Sequence, residues 1–93
     1  NFLSAYEKVQ DVAVIGLPDE RLGEITGAII SVKGGMECTE EEIDEFCKKL
    51  PRYKRPKKII FAEVPRNATG KIEKPALRKK YGAEHLVARQ NMG

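Results

Sequence analysis

The sequence is poor in the residues on which many metal and hydrolase sites depend. It has one histidine, His85, and two cysteines, Cys38 and Cys47, so a zinc site with the usual nitrogen and sulfur ligands is not expected. Its two serines, Ser4 and Ser31, lie in no nucleophile-elbow motif. These gaps argue against a zinc enzyme and a serine hydrolase, and no metal ligand is predicted in this chain.

Long apolar runs are also missing. No stretch of about 18 apolar residues occurs, so no membrane span is predicted, and no secretory segment is recognisable. Two cysteines in such a chain are typical of a reduced, cytoplasmic protein. Cys47 falls on the apolar face of a predicted helix, where a cysteine is expected to be part of the core rather than a reactive thiol.

Charge is divided unevenly between the two halves of the chain. Residues 1–47 carry 3 Lys or Arg and 11 Asp or Glu, whereas residues 48–93 carry 14 and 3. The basic second half favours an anionic partner, although charges at helix ends and on a solvated surface account for part of the asymmetry. The 93 residues predict one domain, 1–93, that is too small to form the deep cleft of a complete two-substrate enzyme.

Apolar patterns and turn formers predict an α+β fold with a small mixed sheet of about three strands flanked by helices. Strands are predicted at residues 12–15, 25–32 and 59–62, and residues 17–24 are predicted as a connection. Thr39 and Glu42 form a capping box for a helix that ends at Pro51. A last helix is predicted to begin near Lys74 and Pro75.

The loop at residues 67–71, with the sequence Asn-Ala-Thr-Gly-Lys, is the stretch most typical of a phosphate contact. Glycine allows the backbone to approach an oxyanion, and lysine supplies positive charge. A Walker A loop is rejected, because Pro65 and Ile72 stand where glycine and serine or threonine are required. On spacing alone, an ordinary turn remains the alternative.

A basic cluster precedes the third strand. It can bind a nucleotide or RNA through phosphate contacts and stacking on Tyr53, or it can form a solvated helix end. Arg55, between Lys54 and Pro56, is the better candidate for a specific phosphate contact because its guanidinium is bidentate. The cluster comprises Lys48, Lys49, Arg52, Lys54, Arg55, Lys57 and Lys58.

Three motifs occur in order along the chain: residues 9–19 with Gly23-Glu24, residues 53–57 with the sequence Tyr-Lys-Arg-Pro-Lys, and residues 65–72, which end in Gly-Lys-Ile. Together they resemble the C-terminal domain of the acyl-adenylate-forming (AMP-binding) enzymes, most closely that of AMP-forming acyl-CoA synthetases. The resemblance covers residues 7–81, and three ordered motifs are more specific than any one of them.

This resemblance implies a two-step ligase of fatty acid or other carboxylic acid metabolism. The acid attacks ATP to give an acyl-adenylate and pyrophosphate, and the thiol of coenzyme A then displaces AMP. By resemblance Lys71 is catalytic and contacts ATP or the adenylate together with Gly70 and Thr69. Arg55 corresponds to a position that holds a coenzyme A phosphate, with Tyr53 beside the adenine.

The same resemblance implies that a large N-terminal domain is the partner of this lid domain and binds ATP, Mg²⁺ and the acid. The hinge and the ATP-binding loop of that large domain are not in the sequence, so we expect a fragment or a separately made domain that is inactive alone. One alternative is the lid of an adenylation domain that acts with a carrier protein. Another is a small basic nucleic-acid-binding module, which does not explain three ordered motifs.

Overall fold

The computed structural model describes residues 2–82. Its elements are short helices and the three strands of one sheet. Along the chain they are a 3₁₀ helix at Phe2–Ala5, strands β1 (Val9–Asp19) and β2 (Gly23–Val32), helix α1 (Glu40–Cys47), a 3₁₀ helix at Arg52–Lys54, strand β3 (Lys58–Phe61) and helix α2 (74–82). The predicted start of the last helix near Lys74 is confirmed.

The three strands form one mixed sheet in the order β1-β2-β3. β1 pairs with β2 as an antiparallel hairpin, and β3 lies parallel to β2. The hairpin is longer than the sequence predicted. Only residues 20–22 form the turn. The backbone N–H groups of Arg21 and Leu22 each donate to the carboxylate of Asp19, at 3.1 and 2.8 Å.

The prediction of a connection at residues 17–24 was therefore wrong. Leu17 pairs with Ile25 and is completely buried, so the cross-strand contact carries both strands beyond Gly16. Pro18 is compatible with a strand here because β1 lies at the edge of the sheet, where a missing backbone donor breaks no ladder bond.

The two faces of the sheet support two separate apolar clusters, in keeping with the alternation of side chains along a strand. Ala28 and Ile30 face α1 and pack with Ile43 and Cys47. Ile29, between them, faces the other way in a cluster that also contains Leu77 and Tyr81 of α2. The fold is therefore a sheet with one helix on each face, and the predicted α+β class is confirmed.

Helix α1 begins where the sequence predicted. The hydroxyl of Thr39 accepts a hydrogen bond from the backbone N–H of Glu42 at 3.2 Å, which satisfies one of the free donors of the first turn. The helix ends earlier than predicted, at Cys47, and Lys48 is its C-terminal cap. Cys47 is 2% exposed, so its predicted place in the core is confirmed.

Within residues 2–82, no helix is long and apolar enough to cross a membrane. The same part of the chain contains no cluster of histidine, cysteine or acidic residues that could hold a metal ion. His85 lies outside the described residues.

Candidate active-site loop

The loop at residues 67–71, called the Gly-Lys loop below, folds back on itself as a small hairpin between β3 and α2. Arg66 and Ile72 form an antiparallel bridge at its base. The backbone N–H of Asn67 donates to the carbonyl of Lys71 at 2.8 Å, and the N–H of Gly70 donates to the carbonyl of Asn67 at 2.9 Å. Asparagine and glycine at these turn positions are typical of a type I turn, and Gly70 has a φ of +84°. The backbone path of the loop is thus fixed.

One atom collects most of the remaining hydrogen bonds of this loop. The side-chain Oδ1 of Asn67 accepts from the backbone N–H of Thr69 at 2.9 Å, from its hydroxyl at 2.6 Å, and from the backbone N–H of Lys71 at 3.0 Å. Asn67 was not among the predicted site residues. Its signal in the sequence is the tendency of asparagine to bond the backbone two residues ahead.

A second side chain ties the loop to the sheet. Arg66 donates from Nη1 to the carbonyl of Gly70 at 2.6 Å and from Nη2 to the carboxylate of Asp11. Asp11 follows an irregularity in the pairing of β1 with β2. The planar guanidinium, with several donors in one fork, suits this bridging of two acceptors.

Lys71 presents its charge outward from this braced backbone. Lys71, Gly70 and Thr69 are all exposed. Among residues 2–82, the ammonium of Lys71 has no hydrogen bond or ion pair, so its charge is available to an anion from outside the domain. The hydroxyl proton of Thr69 is already donated to Asn67.

Tyr53 and Arg55, the two residues predicted to contact coenzyme A, lie close together but in different environments. Tyr53 is 81% exposed, and the ammonium of Lys54 lies 5.9 Å from the centre of its ring. Arg55 is half-buried and donates to the carbonyl of Leu50 at 2.9 Å and to that of Lys48 at 3.2 Å. Two of the five donors of its guanidinium therefore already serve the chain segment after α1.

An open apolar cavity of about 360 Å³ adjoins Tyr53. The sheet residues Val14 and Thr26 contribute to its lining, and Leu50 and Pro56 line it near Tyr53. No residue of the Gly-Lys loop lines this cavity.

The two groups of predicted site residues lie near opposite ends of β2. The segment that leads into β3 meets β2 at Thr26, whose carbonyl accepts from the N–H of Lys57 at 2.8 Å. The Gly-Lys loop is tied to Asp11, which pairs with Ser31. Thr26 and Ser31 are five positions apart on β2, which corresponds to about 16 Å. The structure therefore places the two groups of predicted site residues apart rather than together.

The titratable groups with shifted pKa values lie elsewhere, on the α1 side of the sheet. The ammonium of Lys8 donates to both carboxylate oxygens of Glu42, at 2.8 and 3.0 Å, which lowers the pKa of Glu42 and raises that of Lys8. Burial raises the pKa of Tyr6, whose hydroxyl donates to Glu42 at 3.2 Å. Burial also raises the pKa values of Cys38 and Cys47. Lys8, Tyr6 and Glu42 stabilise the start of α1, whereas Cys47 at its end lies close enough to Arg55 for the guanidinium charge to oppose the rise of the Cys47 pKa.

Comparison with known proteins agrees with this architecture. Residues 1–71 match the family model of the AMP-binding enzyme C-terminal domain. The chain is 57% identical over 77 residues to the long-chain-fatty-acid–CoA ligase FadD13 of Mycobacterium tuberculosis and 46% identical over 81 residues to the probable acyl-activating enzyme 21 of Arabidopsis thaliana. These alignments cover 81% and 83% of this chain, which spans 15% of the length of each relative.

Solved structures show the same likeness. The structure of a Mycobacterium tuberculosis fatty acyl CoA synthetase superimposes with a TM-score of 0.81 at 49% identity. The match covers 89% of this chain and 17% of that one.

Proposed function

Because the chain belongs to the family of AMP-binding enzyme C-terminal domains, we propose that residues 1–93 are the mobile C-terminal domain of an AMP-forming carboxylate–CoA ligase. The domain closes over a large N-terminal domain that binds ATP, Mg²⁺ and the acid. The name of its relative FadD13 favours a long-chain fatty acid as that acid. We place the ligase in the cytoplasm, where ATP and coenzyme A are abundant.

The observation that carries this proposal is the ammonium of Lys71, which has no partner among residues 2–82 and extends from a braced, exposed loop. A carboxylate that attacks ATP meets strong repulsion from the triphosphate. A lysine between the acid and the α-phosphate offsets this repulsion and holds the reacting atoms in line. A compact charge on a long stem suits the task, and a mobile domain delivers it when both substrates are bound. Gly70 and Thr69 border the same phosphate position.

The separation of the two predicted sites supports a second step on a different part of the domain. The segment that carries Tyr53 and Arg55 joins β2 at Thr26, about 16 Å along the strand from Ser31, which pairs with the loop anchor Asp11. A rotation of the domain after adenylate formation withdraws Lys71 and brings Tyr53 and Arg55 to the entering coenzyme A. In that position Tyr53 stacks on the adenine, and the free donors of Arg55 bind a phosphate of the nucleotide.

The proposal is tested by Lys71→Ala in the full-length ligase, with each half-reaction assayed alone. Acid-dependent ATP–pyrophosphate exchange is expected to fall by about 10²–10³, the cost of one preorganised electrostatic contact. Thioester formation from chemically made acyl-adenylate and coenzyme A is expected to continue near the wild-type rate, because the triphosphate is no longer present. Lys79→Ala, at an exposed position of α2, is the control and keeps both rates.

Two results would contradict this assignment. Equal losses in both half-reactions would make Lys71 structural or a ligand common to both steps, and no loss in either would remove it from the site. The chain of residues 1–93 alone is expected to give background exchange with any acid, because it spans 15% of the length of its relatives. Turnover by the chain alone would contradict the proposal.

A further inference from the structure

We propose that Asn67 is a positioning residue for adenylate formation, because its side-chain oxygen fixes the backbone from which Lys71 reaches the reacting atoms. Arg66 and Asp11 anchor the same backbone to the sheet. This inference rests on the proposed function and assigns to Asn67, Arg66 and Asp11 a role that acts through Lys71.

The hydrogen bonds of Lys71 itself are the first observation. Its backbone N–H donates to Oδ1 of Asn67 at 3.0 Å, and its carbonyl accepts from the backbone N–H of the same residue at 2.8 Å. Asn67 therefore holds both polar groups of the Lys71 backbone. The two further bonds from Thr69 to Oδ1 immobilise the amide oxygen that makes this possible.

The anchor across the molecule is the second observation. Arg66 links the carbonyl of Gly70, next to Lys71, to the carboxylate of Asp11 in β1. Asp11 and Arg66 are 55 positions apart in the sequence, so this contact ties a local loop to the rigid sheet. When the domain moves, Lys71 therefore moves with the sheet as one body, because the loop cannot bend between them.

Such bracing matters because the lysine side chain is long and flexible. Its ammonium can be aimed only if the backbone from which it extends is fixed, and an error of about 1 Å at a reacting centre can cost about 100-fold in rate. The fold itself does not require the brace. Asn67, Thr69 and Lys71 are exposed and belong to neither apolar cluster.

The test compares Asn67→Ala, Asn67→Asp and Lys71→Ala in the full-length ligase, together with the double variant Asn67→Ala/Lys71→Ala. Asn67→Ala is expected to slow ATP–pyrophosphate exchange about 10- to 100-fold and to leave thioester formation from the adenylate unchanged. Asn67→Asp keeps an oxygen acceptor at the same place and is expected to recover most of the lost rate. In the Lys71→Ala background, Asn67→Ala is expected to cause no further loss.

The anchor is tested by the single and double variants of Arg66→Ala and Asp11→Ala. If the pair acts as one brace, the double variant loses no more exchange rate than the worse single variant. Glu45→Gln removes a more exposed ion pair, to Lys48 at 2.8 Å at the end of α1, and serves as the control that keeps the exchange rate.

Three outcomes would overturn the inference. They are a wild-type exchange rate for Asn67→Ala, an equal loss in both half-reactions, and a full additional loss in the Lys71→Ala background. In each of these cases the proposed function still stands if Lys71→Ala slows ATP–pyrophosphate exchange. If Lys71→Ala itself exchanged at the wild-type rate, the assignment of Lys71 would fail and the inference would fail with it.

Discussion

The Nε–H of Arg55 donates a hydrogen bond of 2.9 Å to the carbonyl oxygen of Leu50, five positions earlier in the chain. Its Nη2 donates to the carbonyl of Lys48 at 3.2 Å. Both carbonyls lie just after α1, that of Lys48 at its C-terminal cap and that of Leu50 two residues further on. Arg55 therefore satisfies the backbone between α1 and β3, and its remaining donors are the ones free for a phosphate.

Replacing Arg55 is expected to affect both stability and coenzyme A binding. Arg55→Ala removes two hydrogen bonds to the backbone, each worth about 0.5–1.5 kcal/mol, and lowers the free energy of unfolding measured with urea. It also removes the proposed charge-assisted phosphate contact, worth about 1.5–3 kcal/mol, which corresponds to a rise of about 10- to 150-fold in the KM for coenzyme A. ATP–pyrophosphate exchange is expected to remain unchanged.

Arg55→Gln separates the two roles of this residue. Glutamine can still donate to a backbone carbonyl but carries no charge, so it is expected to keep part of the stability and to raise the KM for coenzyme A as Arg55→Ala does. If the KM is unchanged in both variants, Arg55 serves the backbone alone.

Gly70 and Gly35 form a matched pair for testing backbone strain at the proposed active-site loop. Their φ angles are +84° and +80°, and a Cβ added at either position would meet no atom within 4 Å. Alanine in this left-handed region costs about 1–2 kcal/mol at each position. Gly70→Ala is expected to slow ATP–pyrophosphate exchange, because the loop relieves strain by displacing Lys71. Gly35→Ala carries the same strain away from the loop and is expected to exchange normally. A similar slowing in both variants would mean that lost stability, not loop geometry, sets the rate.

The N-terminal cap of α1 gives a prediction about stability alone. Thr39→Ala removes the acceptor for the backbone N–H of Glu42 and is expected to lower the free energy of unfolding by about 1 kcal/mol. Thr39→Ser retains the hydroxyl and is expected to unfold near the wild-type midpoint. Urea denaturation measures both variants, and a destabilised serine variant would assign the loss to the methyl group instead.

The ion pair between Lys8 and Glu42 predicts how stability depends on pH. The pKa of Glu42 is lowered, chiefly by the hydrogen bonds from Lys8, so the carboxylate favours folding above the ordinary glutamate pKa of 4.5. This contribution is lost as the pH falls through the lowered pKa. The pKa of Lys8 is raised, so its contribution is complete below the ordinary lysine value of 10.5 and is lost as the pH rises through the raised value.

Urea denaturation of the chain at pH 7 and at successively lower pH measures the acid limb of this dependence. Glu42→Gln removes the titrating carboxylate and is expected to show a smaller loss of stability on acidification than the wild type. Glu40→Gln, an exposed position of the same first turn, is the control and is expected to keep the wild-type slope. Identical slopes for the wild type and Glu42→Gln would exclude Glu42 from the acid response.

Features that depend on residues adjacent in the sequence were predicted well. Thr39 caps the start of α1 as predicted, although the Glu42 side chain accepts from Lys8 and Tyr6 instead of completing a capping box. The Asn-Ala-Thr-Gly-Lys stretch is a loop, as expected. The ends of elements were predicted less well. The hairpin extends to Asp19 because Leu17 finds a buried partner across the strands, and α1 ends at Cys47 although the helical apolar spacing continues to Leu50.

The sequence by itself determined the family, the order of the elements and the candidates Lys71, Arg55 and Tyr53, because motif spacing and helix caps are local properties. Only the tertiary structure decided what holds those candidates. The ion pair of Arg66 with Asp11 joins positions 55 residues apart, which folding alone brings together. The sheet also puts Tyr53 and the Lys71 loop toward opposite ends of β2, because the parallel pairing of β3 with β2 fixes where each flanking segment lies.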